Sequence, residues 1–154
     1  MHDFPHRYLV AASAASASDV SLAAANVPIL RSDSPVEFGG PGDRWSPETL
    51  LVGSLADCFV LTFRGVAQAS KLRWTDLRCV ATGTLDRIDR VTQFTAFHLQ
   101  AELTVPGGAD RALVERVLQK AERGCLIANS LKAPVALTTQ IRSAVEALAA
   151  QECA

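Results

Sequence analysis

The chain has 154 residues, 49% of them hydrophobic and 20% charged, which suits one packed domain (1–154) and argues against wholesale disorder. Lys plus Arg total 15 against 16 Asp plus Glu, a net charge of −1, so electrostatics give no reason to expect nucleic acid or an anionic membrane as a partner. The four cysteines are too few and too scattered for a disulfide scaffold, and the three histidines, at positions 2, 6 and 98, are spaced too widely to suggest a zinc site.

The opening MHDFPHRYLVAASAASAS ends in small residues, as a secretory leader does. Its apolar core, Tyr8 to Ala12, is shorter than the ~7–15 residues of a leader, and Asp3 sits where basic residues belong. We read it as part of the mature protein. No apolar run approaches the ~20 residues of a membrane span, and the expected location is the cytoplasm. Residues 6–38 alternate weakly and are broken by Ser, Asp, Asn and Pro, which predicts two or three short strands. Residues 11–25 are rich in Ala and Ser, and Phe38 to Asp43 form a glycine-rich loop.

A strong helix signal starts at Ser46, an N-cap residue, followed by Pro47 at the first helical position. The run PETLLVGSLADCFVLTFRGVAQAS places Leu51, Leu55, Cys58 and Thr62 on one stripe, broadened by Leu50, Phe59, Phe63 and Val66. Only Asp57 and Arg64 are charged in its middle, so the helix is expected to be central. Two segments of period-two alternation follow. Leu77, Cys79, Ala81 and Leu85 face inward in the first. Phe97, Leu99, Ala101, Leu103 and Val105 do so in the second, with a polar turn at 86–92 between them, so an antiparallel hairpin is predicted. Asp110 caps a second helix over 111–124, whose buried stripe is Val114, Val117, Leu118, Ala121 and Cys125. A loop through Asn129 and Ser130, a strand from Val135 to Ile141 and a short helix containing Ala147 and Leu148 complete the chain.

The pattern alone makes Cys58, Cys79 and Cys125 small core hydrophobes and Cys153 an incidental tail residue. The wording of two segments changes that balance. The string from Trp45 to Phe59, with Pro47-Glu48 and then Cys58-Phe59 ten residues after the Glu, resembles the helix signature of the osmotically induced protein C / organic hydroperoxide resistance (OsmC/Ohr) family. Lys120 to Leu131, around Gly124-Cys125-Leu126, resembles its second motif. The Phe38-Gly39-Gly40 turn and the Gly83-Thr84-Leu85 strand are similar too, and the likeness covers residues 36 to 141. It implies an α+β fold, an antiparallel sheet wrapped around the long helix and a second helix, in an intertwined homodimer. It also implies a thiol-dependent peroxidase acting in oxidative-stress defence.

In that reading Cys58 is the peroxidatic nucleophile and Cys125 the resolving thiol. Peroxide leaves a sulfenic acid on Cys58, Cys125 condenses with it to a disulfide, and an external dithiol or lipoyl-type reductant restores both. No metal or organic cofactor is implied. An ordinary cysteine, with a pKa near 8.5, is only a few per cent thiolate at neutral pH. The family activates it with an arginine oriented by the Glu of the Pro-Glu motif, here Glu48. Glu48 also has a plain role in the first turn, where a carboxylate favours the helix dipole. Ten residues of helix span ~15 Å, so Glu48 reaches a Cys58 only across a two-fold axis, from the other chain. Arg7, Arg31 and Arg44 are the upstream candidates for the arginine, with Arg31 preferred, and Arg64 is a further source of charge. The apolar neighbours Leu51, Leu55 and Phe59 would favour alkyl over hydrogen peroxide. The alternative is a non-catalytic dimer of the same fold that binds a small apolar ligand or senses redox state. A thiolate acyl transferase is a more distant possibility, because no His lies near either cysteine motif to act as base.

Overall fold

The structure, a computed structural model, describes residues 3–144. Cys153 and the helix expected around Ala147 and Leu148 lie outside the described residues. The chain divides into two compact units, residues 1–51 and 52–154.

The first unit contains three short strands, β1 (Ala11–Ser13), β2 (Val20–Ala23) and β3 (Leu30–Ser32), as an antiparallel meander. Arg31 on β3 reaches across to β2, where it donates to Ser21 Oγ at 2.8 Å and pairs with Asp19 at 3.0 Å. The glycine-rich segment is preceded by a 3-10 turn, Val36–Phe38. Ser32 then bridges in parallel to Trp45, which brings the chain to the start of the long helix.

That helix, α1 (Pro47–Ala69), begins in the first unit and continues through the second. Ser46 Oγ accepts from the Thr49 N–H at 3.2 Å, and Thr49 Oγ1 accepts from the Ser46 N–H at 2.8 Å, a reciprocal capping pair. The buried stripe is Leu55, Phe59, Phe63 and Ala67. It is centred one position beyond the expected one, so Cys58 and Thr62 stand half-buried at its edge. The expectation that no segment approaches membrane-spanning length is corrected: α1 has 23 residues and is long and apolar enough to cross a bilayer. Its buried stripe packs against protein, and Asp57 and Arg64 are exposed at mid-length.

Strands β4 (Asp76–Ile88) and β5 (Val91–Val105) form the predicted antiparallel hairpin. The turn is tighter than the expected 86–92. It consists of Asp89 and Arg90, both at positive φ (51° and 68°), the conformation of a two-residue hairpin whose twist matches its strands. Phe97, Leu99, Ala101, Leu103 and Val105 are buried, as their alternation implies. Leu85 is not. The register shifts between Thr84 and Leu85, and Leu85 is 37% exposed.

Helix α2 (Arg111–Gly124) has the predicted bounds. The Asp110 carboxylate accepts from the N–H groups of Ala112 and Leu113 at 2.9 and 3.2 Å, and Val114, Val117, Leu118 and Ala121 are buried. The expected loop at Asn129 and Ser130 is instead a single-turn helix, α3 (Leu126–Ser130). The last strand, β6 (Val135–Ser143), pairs with β5 in parallel, which refines the expected antiparallel sheet. Two adjacent strands can run parallel only when a crossover returns the chain to the same end, and α2 and α3 are that crossover.

Candidate active site

The two motif cysteines come from different kinds of backbone. Cys58 projects from the middle of α1. Cys125 sits in the break between α2 and α3, with extended backbone (φ −68°, ψ 108°), closing one helix and opening the next. Gly124 is a poor helix former, and the Asn129 side chain donates to the freed Arg123 carbonyl at 3.1 Å. The Cys125 side chain is fully buried, and Cys58 is half-buried.

Gly124 governs how closely these elements approach. A Cβ there would meet Thr62 Cγ2 at 3.2 Å, closer than most real Cβ contacts. With no side chain at 124, the end of α2 settles against α1 one turn beyond Cys58.

The result is a pair of neighbouring thiols in which Cys58 is the more acidic. The Ile127 N–H donates to Cys58 Sγ at 3.5 Å, and Thr62 Oγ1 lies 4.0 Å from it. Burial by itself pushes the Cys58 thiol up, and this is the largest single effect. Hydrogen bonds from the Ile127 N–H, the Cys125 thiol, the Thr62 hydroxyl and the Leu126 N–H together outweigh it, and Cys58 falls below its ordinary value. Cys125 moves the other way, raised by burial and by its neighbour Cys58. Cys79, on β4 opposite Ala101, is pushed up to about 11 by burial and by the charge of Cys125. A more acidic, half-exposed sulfur beside a buried, less acidic one is the arrangement that thiolate attack followed by condensation requires.

Glu48 lies in the first turn of α1, and its Oε2 is buried with no hydrogen-bond partner among the described residues. Arg31 is held by Asp19 and Ser21, and Arg44 pairs with Asp43 at 2.9 Å and Asp19 at 3.6 Å. Arg64 is exposed on α1. Among the described residues no group of three His, Cys, Asp or Glu could hold a metal ion. Leu55 and Phe59 are sealed in the core at 0% exposed, so they are not substrate walls as expected. Leu51 is half-buried. Leu61 lies one turn on from Cys58 along α1, and Leu126 and Ile127 open α3, whose backbone reaches the sulfur. Leu61 and Leu126 are exposed and Ile127 is half-buried. Sequence reasoning missed Ile127 and Leu126 because they act through backbone N–H groups, which residue identity does not reveal. The only available signal was a helix start after Cys125.

Residues 40–140 match the family of OsmC-like proteins. The chain belongs to that family. This OsmC-like chain is 26% identical over 135 residues to the uncharacterized protein YmaD of Bacillus subtilis, covering 86% of this chain and 90% of that one. It is 30% identical over 98 residues to the peroxiredoxin OsmC of Escherichia coli, covering 64% of this chain and 68% of that one. Its fold is similar to that of the organic hydroperoxide resistance protein OsmC of Legionella pneumophila, with a TM-score of 0.69 and 22% identity over 90% of this chain and 99% of the other. The α+β layout expected from the two cysteine motifs is therefore the family's own.

Proposed function

We propose that this OsmC-like protein is a thiol-dependent peroxidase that reduces organic hydroperoxides in the cytoplasm. The observation that carries the reading is the Cys58–Cys125 pair, with Cys58 shifted toward thiolate and Cys125 held as thiol. The Cys58 thiolate attacks the terminal oxygen of R–O–O–H. The O–O bond breaks, the alkoxide leaves and takes a proton from water, and Cys58 becomes a sulfenic acid. Cys125 then attacks the Cys58 sulfur, hydroxide leaves as water with the Cys125 proton, and a disulfide joins them. An external dithiol reduces that bond by exchange, and no bound cofactor enters any step.

The Ile127 and Leu126 N–H groups supply stabilisation of the kind expected from a guanidinium. Arg31 is the second-choice activator, which it becomes only by leaving Asp19. A homodimer with Glu48 of one chain serving Cys58 of the other is supported by two observations. The Glu48 Oε2 is a buried acceptor without a partner in the single chain, a state that native proteins avoid. The helix α1 also leaves apolar side chains such as Leu61 uncovered at 52% exposure. The preference for alkyl hydroperoxides rests on Leu61 on α1 and on Leu126 and Ile127 at the start of α3.

Purified protein should consume cumene hydroperoxide faster than hydrogen peroxide when supplied with a dithiol. Cys58→Ser should abolish turnover. Cys125→Ser should stop after one oxidation, with Cys58 trapped by dimedone. Activity that survives Cys58→Ser, or a faster rate with hydrogen peroxide, would overturn the peroxidase or its specificity respectively.

A further inference from the structure

The Ile127 N–H is given to Cys58 Sγ at 3.5 Å, and in an uninterrupted α-helix it would go elsewhere. A helical N–H bonds the carbonyl four residues back, which for Ile127 is that of Arg123. That carbonyl lies in the last turn of α2, where a helix leaves acceptors without a backbone partner. The Asn129 side chain fills the place, its Nδ2–H donating to the Arg123 carbonyl at 3.1 Å. The two bonds amount to an exchange. The side-chain amide takes the acceptor, and the backbone amide is released to the sulfur.

Little else fixes α3 in the orientation this needs. It has one turn and no buried residue, so neither helix cooperativity nor a packed face holds it. Ala128 and Asn129 border a cavity of about 810 Å³, so protein does not close over α3 on that side. The Ser130 hydroxyl donates to the Leu126 carbonyl at 2.8 Å, and the Asn129 N–H to the Cys125 carbonyl at 3.0 Å. Both of those bonds stay within α3 and its cap. Among the described residues, the Asn129 amide makes the one side-chain hydrogen bond between α3 and α2.

We propose that Asn129 is a positioning residue, whose side-chain amide replaces the Ile127 N–H on the Arg123 carbonyl and so keeps that N–H on the Cys58 sulfur. The proposal deepens the activation of Cys58 in the function proposed above. An apolar side chain at 129 leaves the Arg123 carbonyl open to its helical partner. Closing the break then restores the bond from Ile127 to Arg123, and Cys58 loses its donor. An ionised Asp has the same shape as Asn and only accepts hydrogen bonds, so it cannot serve the carbonyl either.

The test uses the full chain with its thiols reduced. Asn129→Leu keeps the size of the side chain and removes the amide without adding charge. Asn129 is exposed, so the variant is expected to fold, which far-UV circular dichroism checks, and Asn129→Asp is a second variant without the donor. Iodoacetamide labelling of Cys58 is followed by peptide mapping across pH, and the Ile127 amide resonance is followed by NMR over the same range. In the wild type the Ile127 resonance should move with the ionisation of Cys58. In Asn129→Leu that link should be lost, and the Cys58 midpoint should rise by about one pH unit, the scale of one hydrogen bond to a charged group. Asn129→Asp should raise it at least as far. Ser130→Ala, which removes a bond inside α3 only, should leave the midpoint where it is. An unchanged midpoint in Asn129→Leu, an equal rise in Ser130→Ala, or a raised midpoint with the Ile127 resonance still following Cys58 overturns the proposal. Labelling does not require turnover, so the two readings fail separately. Protein that behaves as expected yet consumes no hydroperoxide loses the peroxidase reading and keeps Asn129 as the positioning residue.

Discussion

Replacing Gly124 by valine tests the contact that brings the two cysteines together. A Cβ at 124 already meets Thr62 Cγ2 at 3.2 Å, and the two γ-methyls of valine extend further into the same space. Alanine adds only the Cβ. Its helix propensity exceeds that of glycine by about 1 kcal/mol, which offsets the few tenths of an ångström Thr62 must yield, so Gly124→Ala should be close to neutral. Valine gains less propensity and overpacks the contact, which costs about 1–3 kcal/mol. At about 2 kcal/mol the melting temperature falls by about 4–8 °C for a chain of this size. The larger effect is on condensation. Two cysteines bond only with Cβ atoms about 3.5–4.5 Å apart, and a misplacement of ~1 Å can slow a positioned reaction ~100-fold. The assay adds one equivalent of cumene hydroperoxide and follows the dimedone-reactive Cys58 sulfenic acid and its conversion to disulfide. In Gly124→Val the first oxidation should proceed, while condensation slows at least about tenfold and the sulfenic acid accumulates. Condensation at the wild-type rate in a Gly124→Val protein would refute the argument that this glycine sets the approach of α2 to α1.

Iodoacetamide at neutral pH should label Cys58 first and Cys79 last, since the thiol of Cys58 is lowered and that of Cys79 is raised to about 11; the reverse order in a peptide map would contradict the assigned hydrogen bonds. The raised Cys79 favours folding below the ordinary cysteine range, and that contribution is lost as pH climbs from there through about 11. Stability measured by urea unfolding should thus decline over that window and decline less in Cys79→Ala. Mixing Glu48→Gln with Cys58→Ser subunits should restore peroxidase activity, because each heterodimer then holds one site with an intact Cys58 and the partner's intact carboxylate; no recovery after verified subunit exchange would exclude a site shared between chains. Asp110→Ala should cost about 1 kcal/mol, seen as a melting temperature lower by about 2–4 °C, with peroxide kinetics unchanged.

Much of the architecture is local and therefore legible. Asp110 announces α2 because a carboxylate at an N-cap satisfies free N–H groups wherever the helix lies. Ser46-Pro47 announces α1 for the same reason, and the alternation from Phe97 to Val105 announces a half-buried strand. The phase of the buried stripe on α1 was less legible, since nearly every residue near Cys58 is apolar and packing alone decides which four are sealed. The span of the 86–92 turn was overestimated because Asp89 and Arg90 adopt left-handed backbone without glycine.

The sequence by itself determined that Cys58 and Cys125 belong together, through two motifs that are specific only as a pair. It also determined the helices that carry them, through caps and periodicity. Residue pattern alone left both thiols with the ordinary expectation of buried cysteines, and only the family resemblance singled out Cys58 as the nucleophile. The tertiary structure decided which of them is acidic. The Ile127 N–H that reaches Cys58 comes from 69 residues away, and it points there because α2 ends at Gly124 and the backbone restarts as α3. A hydrogen bond of that range leaves no trace in local periodicity, and the balance between burial and donated hydrogen bonds exists only once the chain has folded.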